Sequence, residues 1–152
     1  MTRIGVISDT HGLVRNEIYD LFNKCDVIFH AGDIGKYSVL EELEKIAPVI
    51  AVRGNVDTDP WAQKIEEWKT VEIEGKSIFL LHNIQDLDVQ SKGKFDLIIY
   101  GHSHKPVNEI RDGVLYFNPG SAGPRRFKLP IAIGMVVVEN NQINAEVVEL
   151  NI

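Results

Sequence analysis

Residues 4–12 read Ile4-Gly5-Val6-Ile7-Ser8-Asp9-Thr10-His11-Gly12. A short β-branched apolar run that stops at a polar, glycine-closed segment predicts a buried strand carrying Asp9 and His11 at its carboxyl end. Downstream, Val14, Ile18, Leu21, Phe22 and Cys25 fall at helical spacing, and Val27–Phe29 forms a second apolar run. Val39, Leu40, Leu43, Ile46 and Ala47 mark a second amphipathic helix, ended by Pro48 before a third run, Val49–Val52. This βαβαβ order predicts a parallel sheet with right-handed crossovers. Asp59-Pro60 reads as an N-cap with proline at the first helical position. It predicts a short helix through about Glu67, with Trp61 and Trp68 seven residues apart on one face.

The second half changes character. Val71–Ile73 and Ser77–Leu81 flank Glu74-Gly75-Lys76, Val107–Arg111 and Val114–Phe117 flank Asp112-Gly113, and Ile131–Glu139 and Ile143–Leu150 flank Asn140-Asn141. Each predicts a hairpin. Phe95–Tyr100 reads as one more buried strand. Parallel units followed by hairpins predict a mixed sheet, or two packed sheets with helices outside. The chain of 152 residues, 44% hydrophobic and 25% charged, reads as a single globular domain over residues 1–152. No linker or repeat divides it. Sixteen basic residues against 22 acidic ones give a formal net charge of −6, which disfavours extended duplex nucleic acid as a partner. No run is long enough to span a bilayer. The single cysteine, Cys25, rules out an intrachain disulfide framework and a cysteine zinc cage; it completes an apolar helix stripe and reads as core. The first apolar stretch is cut short by Asp9, so a cytoplasmic protein is expected rather than a secreted one.

The chemistry lies in the polar residues at the end of each apolar run. Ser8-Asp9-Thr10-His11, His30-Ala31-Gly32-Asp33, Arg53-Gly54-Asn55, His82 and Gly101-His102-Ser103-His104 each come after a predicted strand. Open α/β sheets bind ligands at the carboxyl ends of their strands. In extended backbone, residues two apart point the same way, so Asp9 with His11, and His102 with His104, can reach a common site. Gly12, Gly32, Gly54 and Gly101 allow sharp turns beside it. A set of imidazole, carboxylate and amide donors without thiolate suits Mn, Fe, Co, Ni or Zn. Seven candidate ligands, Asp9, His11, Asp33, Asn55, His82, His102 and His104, exceed the needs of one tetrahedral ion. They suit two ions about 3.5–4 Å apart.

With Asn118-Pro119-Gly120-Ser121 added, the ordered motifs resemble those of the calcineurin-like metallophosphoesterase superfamily. The match is to its small single-domain phosphodiesterase branch, which includes Vps29-like proteins, and it runs from Ile4 to about Arg126. The resemblance implies a four-layer αββα sandwich of two mixed β-sheets flanked by helices. It assigns one metal to Asp9, His11 and His104 and the other to Asn55, His82 and His102, with Asp33 bridging. It implies a dinuclear, manganese-type hydrolase in which a metal-bridging hydroxide attacks the phosphorus of a small phosphate ester. Two alternatives stay open: a non-catalytic Vps29-like scaffold, and a nuclease or nucleotide phosphodiesterase.

Two positions depart from the family pattern. Many larger members carry a leaving-group histidine after the Gly-Asn pair, where this chain has Val56 followed by Asp57. Glycine commonly follows the ligand at His82; here it is Asn83, which tolerates left-handed backbone. His30 reads either as an orienting group for Asp33 or substrate, or as a hydrogen-bonded structural histidine. Asp57 reads as an acceptor supporting the site or as a turn residue. Arg125, Arg126 and Arg53 read as solvated arginines or as phosphate ligands. Trp61 and the terminal strands are compatible with a homo-oligomer.

Overall fold

The computed structural model describes residues 1–91 and 93–152. Its strands, in chain order, are β1 (Thr2–Ile7), β2 (Val27–His30), β3 (Val49–Ala51), β4 (Trp68–Ile73) and β5 (Lys76–Leu81), then β6 (Leu97–Ile99), β7 (Val107–Arg111), β8 (Val114–Asn118), β9 (Ala132–Glu139) and β10 (Gln142–Glu149). Two α-helices, α1 (Asn16–Leu21) and α2 (Tyr37–Glu44), cross between β1, β2 and β3. The sheets run β10-β9-β1-β2-β3 and β4-β5-β6-β8-β7. Both are mixed. The expected parallel order β1-β2-β3 is present, and β9 joins β1 antiparallel.

Side-chain alternation sorts the residues into layers. Ile4 and Val6 of β1, Val136 and Val138 of β9, and Leu97 and Ile99 of β6 point between the sheets, where they bury against Phe29 and Phe117. Ile7, Ile28 and Ile133 face the other way and are covered by Ile18 and Phe22 of the α1 region and by Val39 and Leu43 of α2. The outer face of the second sheet holds Phe79, Leu81, Ile98, Tyr100 and Tyr116. Its cover is thin: the 3-10 turns at Ile84–Asp86 and Val89–Ser91, with Leu87 and Ile84 packed down. The four-layer sandwich is therefore present, with its fourth layer reduced to turns. No helix among the described residues is long and apolar enough to cross a membrane.

All three predicted hairpins form. In each, two residues with positive φ close the turn: Glu74 and Gly75, Asp112 and Gly113, Asn140 and Asn141. That is the type I′ signature, whose twist matches the flanking strands. One prediction fails. The helix expected through Glu67 is a 3-10 segment, Pro60–Lys64, and Asp59 makes no side-chain cap. Beyond it the chain extends, because the Arg53 N–H donates to the Glu66 carbonyl at 3.0 Å and the Arg53 guanidinium donates to the Ile65 carbonyl at 2.8 Å. These tertiary bonds override the helical pattern. Trp61 therefore packs near Tyr37, while Trp68 opens β4 and stacks on Phe79.

Gly134 marks a tight point between the sheets. A Cβ there would lie 2.3 Å from Phe117 Cε2 and 3.2 Å from Val6 Cβ. Overpacking at such a point costs about 1–3 kcal/mol. Gly134→Ala should lower the urea unfolding midpoint accordingly, and Phe117→Leu in the same chain should recover part of the loss. An unchanged midpoint would contradict the packing described.

Candidate metal centre

Every predicted ligand lies at a strand's carboxyl end, and six of the seven converge into two groups. Asp9, His11 and His104 each offer an atom within 4.8 Å of the others, as do Asp33, His82 and His102. Asp33 lies between the groups: its Oδ2 is 3.3 Å from His82 Nε2 and 3.8 Å from His11 Nε2. Asp9 Oδ1 is 3.3 Å from His104 Nε2, 3.9 Å from His82 Nε2 and 4.0 Å from His11 Nε2. Asn55 lines the cleft beside His82 and His102 and is exposed. Asp9 and His11 share a group, but not through extended backbone, and the His102-x-His104 pair expected at a common site is divided between the two groups. Asp9, His11, Asp33, His102 and His104 all have positive φ, between 47° and 74°. His102 and His104 consequently join different groups. Left-handed conformations cost non-glycine residues about 1–3 kcal/mol each and persist only where surroundings over-determine them.

Those surroundings are visible. Asp9 is fully buried; its Oδ2 accepts from Ser8 Oγ at 2.6 Å and from the His102 N–H at 3.0 Å. Ser121 Oγ donates to the Asp9 carbonyl at 3.0 Å. Asn118 donates to the Gly101 carbonyl at 3.1 Å, fastening the loop of His102 and His104. Arg15 donates to the carbonyls of Ala122 and Gly123 and pins the closing loop. Asp57, 3% exposed, accepts from the N–H groups of Gly54, Ile34 and Gly35 at 2.8–3.1 Å. It is thus an acceptor that ties the β2 and β3 loops together. Gly54 and Gly101 serve by close approach: a Cβ would lie 2.1 Å from Asp33 Oδ1 in one case and 2.0 Å from Ser8 Oγ in the other. The roles of Ser8 and Arg15 carry no sequence signal, since each is a single polar residue acting through tertiary contact.

The imidazoles are aimed. His82 Nδ1 donates to the Ala31 carbonyl at 2.7 Å, which turns Nε2 toward Asp33 and Asp9. Burial pushes the His82 pKa down, but the hydrogen bond it donates to Asp33 and the two carboxylate charges outweigh it, and the net shift is upward. Burial pushes Asp33 up, while His82 and the Val56 N–H pull it further down, to about 2. His30 is structural. Its Nδ1 accepts from the Gly32 N–H, and its Nε2 donates to Thr10 Oγ1, whose proton goes to the Ile34 carbonyl. Burial lowers its pKa to about 4. Asn83 is extended (φ −114°) and caps Gln85, so the left-handed backbone anticipated there is not used. Val56 is 45% exposed and contributes its backbone N–H to Asp33. Arg53 is committed to the 63–67 segment, and Arg125 to the carbonyls of Leu129 and Ile152. Arg125 and Arg126 line a recess with His11 and His104.

The donor chemistry fits divalent ions. Asp9 Oδ1, His11 Nε2 and His104 Nδ1 are buried without a hydrogen-bond partner among the described residues. Leaving such atoms unsatisfied is costly, and a cation answers the carboxylate and imidazole lone pairs together. In metal-free protein, His30 has a defined consequence. A histidine that protonates near 4 when folded and near 6.5 when unfolded leaves the unfolded state holding more protons between those values. Stability is therefore lost as pH falls through that window, by on the order of 3 kcal/mol. The raised His82 pKa acts above the window, and Asp33 acts below 3.8. Urea unfolding of chelator-treated protein at pH 6.5 and 4.5 should show about 2 kcal/mol of this loss; a flat profile would contradict a neutral, buried His30.

The comparisons with known proteins agree with this geometry. Residues 2–141 match the model of the calcineurin-like phosphoesterase superfamily domain. The chain is 30% identical to phosphodiesterase MJ0936 of Methanocaldococcus jannaschii, covering 97% of this chain and 99% of that protein. Its fold superposes on the phosphoesterase YfcE of E. coli with a TM-score of 0.71 and 25% identity, over 99% of this chain and 100% of that one. It also superposes on Vps29 of Entamoeba histolytica, a D62A mutant, with a TM-score of 0.78 and 21% identity, over 99% and 100% of the two chains. The chain belongs to the calcineurin-like phosphoesterase superfamily, and with it to the metal-dependent phosphoesterases.

Proposed function

We propose that the protein is a dinuclear phosphodiesterase that hydrolyses small phosphate esters, acting as one catalytic domain over residues 1–152. The supporting observation is the pair of three-residue ligand groups, with Asp33 between them and buried ligand atoms facing inward without partners. On this reading Asp9, His11 and His104 hold one ion, Asn55, His82 and His102 the other, and Asp33 serves both. The donor set suits Mn²⁺, with Ni²⁺, Co²⁺, Fe or Zn²⁺ compatible. Two such ions, when bound, neutralise phosphate charge and lower the pKa of a water.

The chain's own residues supply the order. The Ala31 carbonyl fixes the His82 tautomer, Ser8 and the His102 N–H fix the Asp9 carboxylate, and Asp57 fixes the loops beneath Asp33 and Asn55. The Val56 side chain has no proton to give a leaving oxygen. Esters whose leaving groups depart without protonation are therefore favoured, as are small substrates over duplex nucleic acid for a chain of net charge −6.

Asp33→Asn and His102→Ala are expected to cut hydrolysis of bis(4-nitrophenyl) phosphate by more than about 100-fold, beyond the loss typical of residues that only support a ligand. Circular dichroism should be unchanged. Full activity in both variants, or turnover that survives complete chelation, would overturn this reading.

A further inference from the structure

Trp68 is a large aromatic side chain left 57% exposed at the rim of the site. The two faces of its ring differ in their surroundings. One face stacks on Phe79, with centroids 5.8 Å apart and planes at 18°, and Phe79 in turn packs on Phe95 at 4.9 Å. The platform is thus braced from behind while its front stays open. It forms one wall of a 440 Å³ cleft that runs without interruption from Asn55, His82 and His102 past Phe79 to Asp86. That volume falls within the roughly 300–1,000 Å³ of small-molecule sites.

The register places the strand that carries the platform beside the strand that carries His82. Trp68 pairs with Leu81 across the β4–β5 ladder, and Leu81 directly precedes His82. With strands about 4.8 Å apart, the Trp68 backbone lies about 6 Å from that of His82, and both residues line the one cleft. The rim is polar and not cationic. Asp86, Glu67 and Arg53 line it, and the Arg53 guanidinium is already held by Glu67 and by the Ile65 carbonyl. Carboxylates repel a second phosphate but accept hydrogen bonds from hydroxyl and amino groups. A lipid chain would have no use for them, and a polyphosphate would be rejected.

We infer that this cleft is a nucleoside subsite: the ester group on one side of the phosphorus is a nucleoside whose base stacks on Trp68 and whose sugar or base donates to Asp86. The inference rests on the phosphodiesterase reading and adds the substrate class to it. Base stacking on an aromatic residue is sequence-tolerant, so base type should matter little.

The test has two arms. In the first, metal-loaded protein is assayed on adenosine 2′,3′-cyclic phosphate and on ethylene phosphate, the same five-membered cyclic diester without a nucleoside. Trp68→Ala should lower the kcat/KM ratio of the first to the second by about tenfold, mainly through KM, with Trp68→Phe restoring most of it. An unchanged ratio overturns the subsite. In the second arm, Trp61→Phe leaves Trp68 as the only tryptophan, and fluorescence of metal-free protein is followed during addition of adenosine monophosphate or ribose 5-phosphate. Saturable quenching by the nucleotide alone supports the subsite; no quenching, or equal effects from both, overturns it. Should neither ester be hydrolysed with any metal, bis(4-nitrophenyl) phosphate decides the phosphodiesterase reading, while the fluorescence arm decides the role of Trp68.

Discussion

The structure is organised around the burial of two carboxylates, Asp9 and Asp33, at the meeting point of strand ends from both sheets. Asp9 is fully buried and Asp33 nearly so, and neither has a lysine or arginine within ion-pair distance among the described residues. Taking a carboxylate out of water is expensive unless charge and hydrogen bonds replace its hydration. Ser8 and the His102 N–H answer one oxygen of Asp9, and the Val56 N–H answers one of Asp33. The remaining oxygens face imidazole nitrogens, several held in left-handed backbone. Energy is thus concentrated at a single locus, as expected where local strain serves function. The two-sheet core around Phe29, Phe117 and Val136 is the rigid frame that makes this concentration sustainable.

Most of the frame is legible from period and punctuation. Apolar runs mark β1, β2 and β6 because strands buried on both faces need no alternation, and the dipeptides Asp112-Gly113 and Asn140-Asn141 mark turns because their φ values suit few other residues. The ligand residues are legible because each comes directly after such a run. Backbone conformation at the ligands is not. Extended geometry is the local default after a strand, and only tertiary bonds from Ser121, Asn118 and Asp57 hold the observed conformation. The same limit explains the segment after Pro60, where pairing with Arg53 replaces a helical pattern by 3-10 turn and strand. Trp68 reads as helical for that reason, and its place beside His82 emerges only from the β4–β5 register.

Superposition on a Vps29 at 21% identity establishes shared architecture and no more. Function on a shared fold is argued from its site, and so from where donor atoms lie. Here they converge, and the supports reach one layer further out: Asp57 under two loops, Asn118 under a third, Arg15 behind the closing segment. Outer supports of this kind orient ligands and tune affinity. The cleft beyond His82, walled by an exposed tryptophan, extends the same locus toward a substrate.

The most direct measurement is the number and position of bound ions. Saturation of the purified protein with Mn²⁺, then elemental analysis and anomalous diffraction, is expected to show two ions per chain, one against Asp9, His11 and His104 and one against Asp33, His82 and His102. A single ion, none, or ions bound elsewhere on the surface would contradict the account.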